Sequence, residues 1–293
     1  MNIGVLFSIL SLLAMSVAPV LNKFATGGIG WAWGAALSSL FCLLFCLITQ
    51  PRILGKFANV KSLFSKSLLM IAVTNSLGLL CQYGAVMRLD PPTMSILGRM
   101  YVVFAIILAQ FVLKEKRTRL ESFTLILVLF GAALFCWSPK LSSDWIGISL
   151  CLAYCLFFAL THMQVKLETK RTSANTVLFS NNLLSSLLLL PIAGFLAGPA
   201  PQANSQGVLL ILAASFFGGW LGLLLFYESL KRISMVRANF IRTFSPIAGV
   251  LVAWPFFPVQ FSSLQFCGGA IMISALIIQA LAKLEIQLHI RKL

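Results

Sequence analysis

Along this chain apolar residues gather in long runs divided by short polar punctuation. A bilayer core about 30 Å thick needs roughly 20 apolar residues per crossing helix. On that scale the pattern predicts ten segments, at 2–24, 29–49, 67–87, 92–113, 120–138, 145–165, 176–197, 207–230, 236–257 and 262–282. Backbone groups in lipid must be satisfied within the segment itself, so runs of this length predict helices. The period-two alternation of a membrane β-barrel is absent. The first run begins at Ile3 with no Lys or Arg before it and no A-x-A site after it. It is therefore expected to be the first span and not a cleaved leader. The predicted fold class is all-α, a polytopic membrane protein of ten transmembrane helices.

The basic residues orient these spans. Arg52, Lys56, Lys61, Lys66, Lys114, Lys116, Arg117, Arg119, Lys166, Lys170, Arg171, Lys231, Arg232, Arg237, Lys283, Arg291 and Lys292 all fall on the side of the N-terminus. Only Lys23, Arg88 and Lys140 fall on the other, and two arginines remain inside the membrane. By the positive-inside rule both termini are expected in the cytoplasm, with the plasma membrane of a bacterium (its inner membrane) as the location.

Composition agrees with lipid as the main solvent. The chain is 59% hydrophobic and 10% charged, against about 25% charged in soluble proteins. The net charge of +15 suggests nucleic acid only until the charges are located, because most lie in short loops between apolar runs. The seven cysteines sit within apolar segments without Cys-x-x-Cys spacing or a nearby His, so they are expected to be packing residues; neither a metal nor a cofactor is expected.

The chain repeats at a lag of 143–144 residues. Gly4 and Lys23 match Gly147 and Lys166, Tyr83 matches Tyr227, Arg88-Leu89 matches Arg232-Ile233, and Leu120 matches Leu264. Two halves are expected, 1–140 and 141–293. Each holds five spans, an odd number, so the halves enter the membrane in opposite senses. Inverted repeats of this kind occur in secondary transporters, with the substrate near the midplane.

Lys23 and Lys166, the tract from Tyr83 through Leu113-Lys114-Glu115-Lys116 to Gly131, and the tract from Tyr227 through Ser245-Pro246 to Gly268-Gly269 resemble the drug/metabolite transporter superfamily, specifically its EamA-type members. The resemblance covers essentially the whole chain. Two positions depart from it: Val102 stands where a proline is expected in span 4, and Pro258-Val259 replaces a Gly-Glu near the end of span 9. The resemblance implies a secondary carrier with a central cavity lined by spans 1, 3, 4, 6, 8 and 9.

Ionisable residues within spans are expensive, so each requires an account. Arg99 lies seven residues into span 4 and Arg242 six into span 9, corresponding places in the two halves. With the halves inverted, one guanidinium is expected outside the midplane and the other toward the cytoplasm, both facing an anionic substrate. His162 in span 6 and Glu228 in span 8 are the candidates for proton coupling. Asn75, Tyr83, Tyr101, Trp220, Tyr227 and Asn239 complete the candidate substrate-binding set. Gly218-x-x-x-Gly222 is expected to serve helix packing.

The function expected is transport of a small organic metabolite, anionic or zwitterionic, across the membrane. The competing class is a membrane-embedded enzyme or flippase acting on lipid-linked groups. Such catalysis needs converging carboxylates, His residues or a metal site, and the spans offer one Glu and one His on different helices. No G-x-x-x-x-G-K-[ST] loop is present to drive transport with a nucleotide.

In a background free of native cysteines, cysteines at Ser65 and Arg171 are predicted to label only from the cytoplasm, and one at Asn204 only from outside. Labelling of all three from one face overturns the ten-span order.

Overall fold

The computed structural model describes residues 3–49, 65–113, 119–136, 144–199, 205–233, 235–242, 245–257 and 262–290. Outside them lie Arg52, Lys56, Lys61, Lys114, Glu115, Lys116, Arg117, Lys140, Asn204, Thr243, Pro258-Val259, Arg291 and Lys292.

Among the described residues there is no strand, and the helices fall into ten units. These are α1 (Ile3–Ile29), α2 (Trp31–Thr49), α3 (Lys66–Arg88), α4 in two pieces (Pro91–Leu97 and Met100–Leu113) and α5 (Arg119–Cys136). The second half supplies α6 (Trp145–Glu168), α7 (Ala174–Ala197), α8 (Ser205–Arg232), α9 (described over a first piece, Met235–Arg242, and a second, Ser245–Ala253) and α10 (Ser263–Ile290). α1, α2, α3, α6, α7 and α8 are each long and apolar enough to cross a membrane unaided. Phe111, Phe195 and Ile48 stand exposed on helix surfaces, as side chains facing lipid would.

Helix starts follow local chemistry. The side chains of Ser65, Asp90, Asp144 and Ser173 accept from the amides of Leu68, Thr93, Gly147 and Thr176, so α3, α4, α6 and α7 each open on a capped turn. Pro91-Pro92 after Asp90 suits the first turn of a helix, where a missing N–H has no consequence. Gly30 divides α1 from α2 at a φ of 81° that an L side chain rarely adopts.

The pairing of helices expresses the repeat. α2 packs on α7, α4 on α9 and α5 on α10, each helix meeting its own equivalent. α1 packs on α8 and α3 on α6, two contacts that the repeat exchanges. The four helices α1, α3, α6 and α8 form the middle, with the α2/α7 pair on one side and the α4/α9 pair on the other. The two halves are inverted repeats.

Lys23 and Lys166 show the repeat at atomic detail. Lys23 Nζ donates to the carbonyls of Val86, Met87 and Leu89 at the end of α3, at 2.7, 3.0 and 3.0 Å. Lys166 Nζ donates to those of Leu230 and Ile233 at the end of α8, both at 3.0 Å. A helix C-terminus leaves carbonyls unmet and carries a partial negative charge, so an ammonium satisfies it twice over. Each lysine thereby clips the first helix of its half to the third. Close packing joins the halves: a Cβ on Gly218 would stand 2.6 Å from that of Ala18, so α1 and α8 touch through small residues, as predicted for this glycine pair.

Replacing Lys23 or Lys166 by Met keeps the stem and removes the donors. Each variant is expected to lose about 2 kcal/mol of stability, the scale of hydrogen bonds from a charged group. Unchanged thermal unfolding in detergent would show that the clips contribute nothing.

Candidate functional site

α4 breaks at Gly98 and Arg99, and Arg242 on α9 is the repeat equivalent of Arg99. In α4 the amides of Arg99, Tyr101 and Val102 turn to the carbonyls three residues back (Ile96, Gly98 and Arg99) at 3.0, 3.2 and 2.9 Å. This tighter turn ends the first piece and starts the second. Gly98 permits it: a Cβ there would lie 2.5 Å from Tyr154 Oη and 2.7 Å from the Met94 carbonyl. A side chain at Gly98 would meet the Tyr154 hydroxyl of α6 at this break.

Arg99 and Arg242 lie 143 residues apart and are repeat equivalents. Arg99 Nη1 donates to the main-chain carbonyl of Arg242, the last residue of the first piece of α9. The two residues expected on opposite sides of the midplane thus meet in one contact. The axis of an inverted repeat lies in the membrane plane, and equivalent residues that touch must lie beside that axis. Ser39 on α2 donates to the carbonyl of Asn182 on α7 at 3.1 Å, a second equivalent pair in contact. The axis therefore runs by the α4/α9 contact and the α2/α7 contact.

Between these two contacts lies a cavity of about 190 Å³. Its wall includes Arg99, Arg242, Tyr101, His162, Asn75 and Tyr83 from the predicted set. Spans 1, 3, 4, 6, 8 and 9 all contribute, and so do α2 and α7, which the sequence did not suggest. From these come Ser38, Ser39, Cys42 and Asn182, while α1 adds Asn22. No Asp or Glu lines the cavity among the described residues.

The guanidiniums are sparingly paired. Arg242 lies over the Phe226 ring at 4.2 Å and the Tyr101 ring at 5.7 Å, and its Nη2 points at Met15 Sδ at 3.5 Å. Cation–π contact steadies such a charge without neutralising it. Arg242 Nη1 and Arg99 Nε are buried and meet no partner among the described residues. His162 Nδ1 and Tyr101 Oη are 2.9 Å apart, and Phe226 closes over the imidazole with ring centres 5.0 Å apart.

The remaining predicted residues scatter. Tyr83 Oη donates to Asn22 Oδ1 at 3.0 Å, and the tyrosine ring occupies the space left by Gly34. Tyr227 is fully buried behind His162, their ring centres 6.2 Å apart, and is not part of the wall. Trp220 turns away to pack against Phe45 and Phe216. Residues 215–222 of α8 form a π-helix, whose wider turn puts Gly218 and Gly219 on the cavity and Trp220 off it. Glu228 pairs with Arg232 one turn on, in a partly exposed position. The side chain of Asn239 lies outside the described residues, although its backbone belongs to α9.

The profile of the EamA-like transporter family matches residues 2–137 and again residues 145–280. No curated protein matches the sequence. Among 27 solved chains that match, one crystal structure superposes with a TM-score of 0.69, covering 95% of this chain and 96% of that one. At 12% identity that likeness shows a shared fold.

Proposed function

The chain belongs to the EamA-like transporter family, and on that premise we propose that it is a secondary carrier of a small organic anion bearing a carboxylate or phosphate. The family fixes the coarser statement, a multi-pass membrane transporter of small molecules. The observation that supports the finer one is the pair of repeat-equivalent arginines, with unpartnered donors in a cavity wall that offers no carboxylate among the described residues. At an effective dielectric of about 20, a unit charge roughly 5 Å away interacts by about 3 kcal/mol, enough to set a preference of sign. Size supports a metabolite: a cavity of about 150 Å³ admits benzene, and this one measures about 190 Å³.

The inverted halves and the position of the cavity on their axis favour alternating access around a fixed site. The distribution of Lys and Arg favours the bacterial inner membrane with both termini cytoplasmic. Of the two coupling candidates, His162 borders the cavity, hydrogen-bonded to Tyr101, whereas the Glu228 carboxylate is engaged by Arg232. We therefore assign proton coupling to His162.

Arg99→Gln and Arg242→Gln are each expected to weaken substrate binding about 10- to 100-fold, the range for losing a hydrogen bond to a charged group. Lysine at either position should recover part of this, since it restores charge but not the planar fork. If the methyl ester of a substrate binds as well as the acid and both Gln variants still transport, the arginines are structural and the anion reading fails.

In proteoliposomes, His162→Gln is expected to abolish accumulation driven by a pH gradient while sparing exchange. Glu228→Gln should leave both intact. Normal accumulation by the His162 variant removes that residue from coupling.

A further inference from the structure

The arginines account for one end of the cavity. The other end, where α2 and α7 meet, is built of amides whose own hydrogen bonds decide which atom faces inward. Asn182 Nδ2 donates to the carbonyl of Leu178 at 2.9 Å, a bond its oxygen could not make. Ser185 gives its hydroxyl hydrogen to the Ala72 carbonyl at 3.3 Å, so toward Asn75 it accepts, and Asn75 Nδ2 lies 3.2 Å away. Both amide nitrogens are thus turned into the packing, and both carbonyl oxygens away from it. Those oxygens receive no donor among the described residues, and they are not sealed in as the partnerless Asn181 Nδ2 is. Both asparagines border the cavity. Asn22 complements them: its oxygen is taken by Tyr83, which leaves its amide nitrogen as a donor on the same wall.

We propose that the substrate is a hydroxylated carboxylate. Its carboxylate lies against Arg99 and Arg242 at the α4/α9 end, and its hydroxyls donate to Asn75 Oδ1 and Asn182 Oδ1 at the α2/α7 end. This rests on the anion reading above. Two acceptor oxygens call for donors on the ligand, and a hydroxyl or an ammonium group supplies them. An ammonium would add a third positive charge to a cavity that holds two guanidiniums and no carboxylate among the described residues. A hydroxyl meets the same oxygens without charge, and its own oxygen can accept from Asn22.

The test uses the purified full-length protein and four probes of six carbons: gluconate, hexanoate, 6-aminohexanoate and sorbitol. Affinities are read from the rise in melting temperature with probe concentration. Gluconate is expected to bind at least about tenfold more tightly than hexanoate or 6-aminohexanoate, the equivalent of one well-made hydrogen bond. Asn75→Leu and Asn182→Leu should each bring gluconate down to the level of hexanoate and leave hexanoate unchanged. Should either variant fail to fold, the comparison of probes on the native chain decides alone. Gluconate no tighter than hexanoate overturns the hydroxyl-binding wall and leaves the anion reading standing. Tightest binding of 6-aminohexanoate overturns it in favour of an amino acid. Sorbitol binding as tightly as gluconate overturns the anion reading itself, and binding of none of the four overturns both.

Discussion

A helix that breaks inside a bilayer frees amides and carbonyls with no water to receive them, so the break persists only where other protein groups meet them. The cavity and the inter-repeat contact both depend on how this demand is answered. α4 answers it locally, through the i→i+3 bonds around Gly98 and Arg99. On α9 the Arg242 carbonyl is answered from the other half, by Arg99. That bond joins the two halves at the α4/α9 pair, beside the break of α4. Lys23 and Lys166 apply the same rule at the ends of α3 and α8.

Packing then sets the shape of the space left between these anchors. Glycines on α8 let α1 approach closely, and the π-helical turn rotates the large side chains of that stretch outward. Phe216 and Trp220 are carried to Phe45, and the cavity keeps a smooth glycine face opposite α1. Hydroxyls bridge the neighbouring interfaces, Ser8 to the Ala238 carbonyl and Ser11 to the Gly222 carbonyl. Such bonds fix helix rotation, which dispersion between smooth apolar faces would leave loose.

The spans and the repeat were legible because lipid forces each crossing into a long apolar run, and lysines that clip helix ends must recur at the repeat lag. The break in α4 was not legible: Gly98 is one of 20 glycines, and nothing local separates a hinge from a packing contact. Correspondence of Arg99 with Arg242 could be counted along the chain, but closeness to a symmetry axis is a property of three dimensions. The π-helical turn that carries Trp220 toward Phe45 was not legible either, because nothing in residues 215–222 sets it apart from an α-helical run. The α2/α7 wall was passed over since serines are common in membrane helices. Asn181-Asn182 in the middle of an apolar run was the signal that could have found it.

The exchange between the two arginines is one-sided. Arg99 reaches the Arg242 carbonyl, whereas the Arg99 carbonyl takes the amide of Val102 and Arg242 rests on aromatic rings. A perfect two-fold would make these roles identical. Under the alternating access proposed above, in which the halves trade places, the opposite-facing conformer would hand the latch to Arg242. On that reading the residues meeting each guanidinium differ, because Met15 has Phe158 as its equivalent, Phe226 has Gln82, and His162 has Pro19. Two such conformers would be unequal in energy, with the resting bias of the carrier set by these mismatched pairs.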